Sequence, residues 1–508
     1  MESPIASMFE AFALKNPNHP ALYYQGKTYS YGALLDLVRS IQKTIEHNIP
    51  QKGCVIAIAD ELNDFTYAGI LAISLSGNVV LPFKPDMAPE RIKYIFESAP
   101  PVCVLYSDLQ KDKINLQFPF LHEYAQLVMN YEAPQWIAAP QPPVYDTTYH
   151  EMVYILFTSG STGKPKGVPI TRKNLMDYLS FFLDKNNYDF NPQDRFLQVF
   201  DFTFDVAYFS LFVPLSVGAT CYALDNKPGR IKFLEIIQML KDHDITVVSM
   251  VPTVLLFLKK YLSRISLPHL RYSFFSGDIL YHDTAANWKK CFPNGHLHNS
   301  YGPTETTIQN TRYIWEEKQS EIESHNNIVP IGKPFPGVHY VILDEEGKRV
   351  PEGETGELCF YGNQVIDAYV GHEHEHMFIN VEIEGRSQRC YKTGDLSSLN
   401  QYGNLIFHGR KDFQCKINGY RIEIPEIEKV LYEIAKTPVA IVAKRNAEGL
   451  NYLIGFIEAS TMTEEELKSE MKRFLPEYMI PAHLIMLDAI PLNDNNKIDR
   501  KYLSQNFS

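Results

Sequence analysis

The chain has 508 residues, a formal net charge of −12 and a pI near 5.8, with 45% hydrophobic and 13% aromatic residues. That length exceeds what one core accommodates, so two or more domains are expected; the acidic balance excludes a nucleic-acid binder and disfavours an anionic membrane surface. Seven cysteines without a Cys-x-x-Cys pair fit a reducing, cytoplasmic compartment, and neither a leader pattern nor a run of ~18 apolar residues is present.

In chain order, residues 5–14 read as an amphipathic helix, 21–24 as a strand, and Ser30 as the cap of a helix to 45. A strand at 55–59, a helix near 63–77, a strand at 79–82, a helix at 89–98 and a strand at 102–106 follow. This rhythm predicts an α/β fold with largely parallel sheet. Residues 130–150, rich in Pro, Gln, Tyr and Thr, read as a loop. It leads to a buried strand at 153–157 and then to Thr158-Ser-Gly-Ser-Thr-Gly-Lys-Pro-Lys-Gly167.

Glycines there permit backbone N–H groups to turn inward, hydroxyls add donors, and lysine adds a point charge for phosphate. The pattern is not a Walker A loop, because Pro165 follows Gly163-Lys164 and disfavours a helix start. A nucleotide site outside the P-loop class is therefore expected.

Downstream, a helix at 175–183 and a strand at 196–200 precede Asp201-Phe-Thr-Phe-Asp205. Asp205 is placed at the start of a helix over 206–215, where a carboxylate is favoured; a plain helix cap explains it equally well on local grounds. Strands near 246–250 and 272–275 lead to Asn299-Ser-Tyr-Gly-Pro-Thr-Glu-Thr-Thr307, read as a tight turn whose hydroxyls and carboxylate suit a magnesium nucleotide. From 338 the texture becomes β-rich. His372-Glu-His-Glu-His376 reads as an exposed loop rather than a metal site, and Tyr391-Lys-Thr-Gly-Asp395 as a glycine turn ending in a carboxylate. Beyond Gly409-Arg-Lys-Asp412 a small α+β unit is expected, ending in a polar loop with Lys497.

These motifs, in this order, resemble the adenylate-forming superfamily of acyl-CoA synthetases, luciferases and amino-acid adenylation domains. The similarity is nearest to D-alanine–carrier-protein ligases and free-standing adenylation domains, notably in Asp412-Phe-Gln-x-Lys-x-x-Gly-Tyr-Arg421. The resemblance implies an N-terminal domain over 1–409 with mixed and parallel sheets and a β-rich subdomain, and a small mobile domain over 410–508. It implies ATP and Mg²⁺ as cofactors, an aminoacyl-adenylate intermediate, and transfer to the phosphopantetheine thiol of a carrier protein. No carrier motif follows in the sequence, so the carrier is expected in trans and the chain as a monomer.

By the same resemblance, Thr158, Ser159, Gly160, Ser161, Thr162, Gly163 and Lys166 would hold phosphates. Asn299, Ser300, Tyr301 and Gly302 would meet adenine, and Asp395 with Arg410 would bind ribose. Thr304 would touch the α-phosphate and Glu305 would hold Mg²⁺. Lys497 would bridge the substrate carboxylate and the α-phosphate, and Asp412 would be the hinge. Gly419 would line the thiol's tunnel. Asp205 would pair with an α-ammonium, with Val206, Phe209, Ser249, Phe274, Ser276, Ser300, Ile308 and Gln309 around the side chain. A small or medium amino acid, D-alanine among them, fits that set. Arg172 stands near where many members carry a histidine, and no role is assigned to it. The alternatives are an acyl- or aryl-CoA ligase and a non-catalytic carrier-docking module.

Overall fold

A computed structural model describes residues 4–507 apart from 60–61, 142–148, 161–163, 225–231, 373, 412–413, 418, 447–448 and 493–497. Among these residues, one sheet runs in the order Gln135–Ile137, Ala125–Met129, Cys103–Ser107, Val55–Ala59, Val79–Phe83, Met152–Thr158, Lys166–Thr171. Its central strands pair in parallel, as they must when the crossovers are helices such as Asp64–Leu75 and Pro89–Ser98. Every residue of Val55–Ala59, Val79–Phe83 and Cys103–Ser107 is buried, which is why these strands appear in the sequence as unbroken apolar runs.

The second large sheet has the order Lys333–Pro334, Thr311–Trp315, His296–Tyr301, Tyr272–Phe275, Val247–Met250, Arg195–Gln198, Thr220–Ala223, Pro20–Tyr24, Lys27–Ser30. The helix Val206–Val217 is buried from Val206 to Leu215. A helix apolar on nearly every face is one enclosed by other layers. Its amino end delivers Asp205, and the carboxyl ends of Val247–Met250 and Tyr272–Phe275 deliver Val251 and Ser276 to the same cavity. Ligand sites of parallel sheets form at such strand ends.

A third, antiparallel sheet joins Val338–Leu343, Gly356–Gly362, Phe378–Ile383, Arg386–Leu399 and Leu405–Arg410. The expected turn at 391–395 is in fact interior to the strand Arg386–Leu399, with Gly394 at φ 72°. Pairing to both Gly356–Gly362 and Leu405–Arg410 overrides the local turn signal. Likewise Asn299–Tyr301 closes the strand His296–Tyr301, and only Thr304–Thr306 coils, as a short 3₁₀ turn.

The last hundred residues build separate elements: a hairpin of Gln414–Ile417 and Tyr420–Glu423, the helix Ile424–Ala435, and a sheet of Val439–Arg445, Asn451–Glu458 and His483–Leu487. The strands Tyr420–Glu423 and His483–Leu487 and the helix Arg500–Asn506 are additions to the sequence reading. Each is short, and the hairpin carries alternating charge that resembles a solvated loop.

Candidate active site

The glycine-rich segment is the bend of a hairpin, with Met152–Thr158 pairing antiparallel to Lys166–Thr171. Lys166 is thus a strand residue rather than a loop residue, buried at 3% exposure. Burial lowers its pKa and Arg421 lowers it further, against the pull of Glu305 and Glu423. A Cβ on Gly160 would sit 1.7 Å from the Lys164 carbonyl oxygen, so only glycine allows the chain to fold back here and turn its amide toward an anionic group. Ser161, Thr162 and Gly163 lie outside the described residues.

Glu305 is fully buried within the 3₁₀ turn. One carboxylate oxygen accepts from Tyr369 Oη at 2.8 Å and the other from Arg421 Nη1 at 2.7 Å. Burial works to raise its pKa, but the cations Arg421 and Lys166 hold it down at about 2. Arg421 comes from the hairpin 414–423, which lies over the cavity. That same hairpin sends Lys416 into the cavity shared with Asp205, Tyr301 and Asp395. Lys416 has its pKa lowered by burial, with Asp395 and Asp278 opposing. No ion pair at its Nζ is present among the described residues.

A neighbouring cavity of about 240 Å³ is walled by Gly277, Asn299, Tyr301, Gly302, Ile331, Asp395 and Arg410. Asp395 accepts from Tyr301 Oη and from Arg410 Nη1, its partner across the strand pair. The Asn299 amide donates to Pro330 O at 2.9 Å and so fixes the floor. Ser300 is buried beneath it. An acceptor carboxylate beside a rigid guanidinium and a tyrosine ring has the chemistry that a ribose and a base require. Together with the Gly160 fold-back and the deeply acidic Glu305, the residues present fit a magnesium nucleotide.

Asp205 lines the cavity from the start of its helix. Burial raises its pKa to about 6, while the Thr304 hydroxyl and the Val206 N–H oppose that rise. No lysine or arginine forms an ion pair with it among the described residues. Val206, Ser276 and Ile308 reach the same cavity. Ile308 does so from an unusual backbone: Thr307 and Ile308 take φ of 65° and 69°, which costs about 1–3 kcal/mol for each such residue. The Thr307 hydroxyl, donating to Gln364 O at 2.6 Å, helps to hold that shape. Phe209, Ser249, Phe274 and Gln309 lie behind the cavity wall, each about 1% exposed. Phe209 and Phe274 pack edge to face at 5.4 Å.

The structure therefore places Ser159, Asp205, Tyr301, Thr304, Asp395 and Arg410 on adjoining cavities, while Gly160, Lys166 and Glu305 meet Glu426, Glu423 and Arg421 beside them. Lys497 and Asp412 fall outside the described residues, as does the rest of 493–497. Thr158 lines the site at the end of its strand. Sequence reasoning passed over Lys416 and Arg421, and the carboxylates Glu423 and Glu426. For Lys416, Arg421 and Glu423 the signal was present in the alternation of Gln414-Cys-Lys-Ile417 and Tyr420-Arg-Ile-Glu423, a two-stranded pattern that presents every second residue to one side; Glu426 lies in the helix that follows.

Comparison with known proteins points one way. Residues 9–370 match the model of the family described as AMP-binding enzyme. Zwittermicin A synthase ZmaJ of Bacillus cereus is 31% identical, covering 99% of this chain and 95% of ZmaJ. Bacitracin synthase 2 of Bacillus licheniformis is 29% identical over 99% of this chain, which spans only 18% of that much longer protein. Among solved structures, the Vibrio cholerae adenylation domain AlmE in complex with glycyl-adenosine-5'-phosphate superposes with a TM-score of 0.84 at 27% identity, covering 99% of this chain and 98% of AlmE.

Proposed function

This chain belongs to the AMP-binding enzyme family and is an adenylate-forming ligase, and from that premise we propose that its substrate is a small amino acid, glycine or alanine. The observation that carries this reading is Asp205: a largely enclosed carboxylate that no lysine or arginine pairs with among the described residues, although Lys416 in the same cavity attracts its charge, and that lines a cavity shared with nucleotide-binding groups. A buried charge without a partner is costly, and an α-ammonium would supply the partner. The Phe209–Phe274 pair packs behind the cavity wall, and we read it as the closed end of the side-chain pocket. The glycyl-adenylate held by AlmE supports a substrate of that size.

In the first half-reaction the substrate carboxylate attacks the α-phosphorus of ATP, and the bond to pyrophosphate breaks. Asp205 would fix the ammonium, Thr304 would donate toward the α-phosphate, and Asp395 with Arg410 would hold the ribose. Glu305 would bind Mg²⁺, which when bound neutralises phosphate charge. Lys497 is proposed to reach the reacting carboxylate. In the second half-reaction a phosphopantetheine sulfur of a separate carrier protein attacks the aminoacyl carbonyl carbon. The bond to the phosphate oxygen breaks, AMP departs with that electron pair, and the thiol proton is lost to solvent. The hairpin 414–423 over the cavity suits this second step, with residues 410–508 swivelling about Asp412 between the two.

Amino-acid-dependent ATP–pyrophosphate exchange over a panel of D- and L-amino acids tests the reading. Exchange is expected with glycine or alanine and lost in Asp205→Ala. Exchange driven by fatty or aryl acids and indifferent to Asp205→Ala would assign the chain to acyl- or aryl-activating ligases instead.

A further inference from the structure

The hairpin and the helix after it do more than cover the cavity. Three phosphate-type donors of residues 159–166 are already in use, and their acceptors come from residues 421–426. The Ser159 hydroxyl donates to Arg421 O at 2.8 Å, and the Gly160 N–H donates to Glu426 Oε2 at 3.2 Å. Lys166 Nζ stands 3.5 Å from Glu423 Oε1, with both side chains buried. Arg421 occupies the carboxylate oxygen of Glu305 that faces the hairpin, at 2.7 Å. Glu426 is not a loose surface acid: its other oxygen pairs with Arg91 at 2.6 Å, and the two side chains are 5% and 2% exposed.

Two carboxylates on an anion cradle and one cation on a would-be metal ligand reproduce the charge pattern of magnesium pyrophosphate. We infer that Glu423, Glu426 and Arg421 are positioning residues of the thiol-transfer step, and that they act as an internal stand-in for magnesium pyrophosphate. The inference rests on the adenylation reading above. While pyrophosphate and its metal occupy the cradle and Glu305, the hairpin has no donors or carboxylate to dock on. Once they leave, the same groups seize the hairpin and bring Lys416 and Gly419 to the cavity. Docking and pyrophosphate therefore compete for one set of atoms, and each weakens the other by the same factor. Arg91 gives Glu426 a reason to be buried even though the amide it holds is a weak partner for a charge.

The test is calorimetric binding of inorganic pyrophosphate with Mg²⁺ to the full-length protein, without amino acid or ATP, alongside hydrogen–deuterium exchange of residues 414–435. In the wild type, saturating magnesium pyrophosphate is expected to remove protection from the hairpin, whereas Mg²⁺ alone does not. In Glu426→Gln and in the Glu423→Gln/Glu426→Gln double variant the competitor is weakened, so pyrophosphate is expected to bind at least about tenfold tighter. Damage to the fold would weaken binding, so a gain in affinity separates the proposed role from a merely structural one. Single-turnover transfer to a thiol is expected to slow in the same variants, with Glu426→Asp recovering part of the rate. Hairpin protection unchanged by bound pyrophosphate, affinity unchanged or lower in the glutamine variants, or no pyrophosphate binding by any of the three proteins would each overturn the inference. The binding and hydrogen-exchange readouts use no amino acid, so they stand apart from the choice of substrate.

Discussion

Replacing Asp205 by asparagine should stabilise the folded protein while disabling it. Asparagine keeps the shape and an oxygen able to accept from the Thr304 hydroxyl and the Val206 N–H, and removes only the charge. Burial lifts the Asp205 pKa from an ordinary 3.8 to about 6, a penalty on the ionised form of roughly 3 kcal/mol at about 1.36 kcal/mol per pH unit. The sign follows from linkage: the folded state binds this proton more tightly than the unfolded state, so stability attributable to the group is full below pH 3.8 and lost as pH rises through 6. The wild type carries the penalty at pH 7.5 and the variant does not. Asp205→Asn should therefore unfold at higher denaturant or temperature at pH 7.5, by about 1–3 kcal/mol, with the advantage vanishing near pH 4. Truncating one partner of a buried charge pair costs about 2–5 kcal/mol in binding, so kcat/KM for the amino acid should fall at least about 30-fold, chiefly through KM. In the wild type, KM for the amino acid should rise as pH drops below about 6. Denaturation monitored by tryptophan fluorescence at both pH values, paired with exchange kinetics, reads both effects. A variant that is less stable at pH 7.5, or that keeps its amino-acid KM, would refute the view that this carboxylate waits for an ammonium.

Three further substitutions probe other parts of the site. Gly419 sits at φ 86°, and a Cβ there would lie 2.6 Å from Val251 Cγ1; Gly419→Ala should lift the hairpin and slow thiol transfer about tenfold or more in single-turnover assays, relative to adenylate formation. Glu305→Gln leaves Arg421, whose side chain is 15% exposed, without its carboxylate, at a cost below the roughly 3–5 kcal/mol of a fully buried broken pair; loss of hairpin protection in hydrogen exchange and a raised Mg²⁺ requirement for pyrophosphate exchange are expected together. Phe274→Ala should cost about 3–5 kcal/mol of stability from the cavity it leaves, seen as a lower unfolding midpoint. It should also move the exchange preference from glycine or alanine toward larger side chains.

Much of the scaffold could be read from the sequence, because its strongest signals were local. The buried strands 55–59, 79–83 and 103–107 are short apolar runs between helical periods, and the cap at Ser30 is a side-chain acceptor before a helix. The turns at 299–307 and 391–395 misled for a shared reason. Both carry Gly or Pro punctuation, yet both contain stretches held in sheets by neighbours distant in sequence. For the site, residue chemistry pointed to Asp205, Glu305 and Asp395, but could not say which residues line the cavity and which close it. Phe209, Ser249 and Phe274 lie on elements buried almost throughout, beside residues such as Val206 and Ser276 that do reach the cavity, and only packing separates the two sets. Arg421, Glu423 and Glu426 were harder still: their meaning depends on contacts to Glu305, Lys166 and Gly160 more than a hundred residues earlier.

The most direct measurement compares two unreactive adenylates that differ only in one ammonium group. Calorimetry with 5'-O-(glycylsulfamoyl)adenosine and 5'-O-(acetylsulfamoyl)adenosine isolates what Asp205 contributes, since nucleotide, sulfamate and carbonyl are common to both. The glycyl compound is expected to bind at least about 30-fold more tightly, the low end of the range for a buried charge pair, and to lose that margin in Asp205→Asn. Equal affinities in the wild type would contradict amino-acid recognition by this chain.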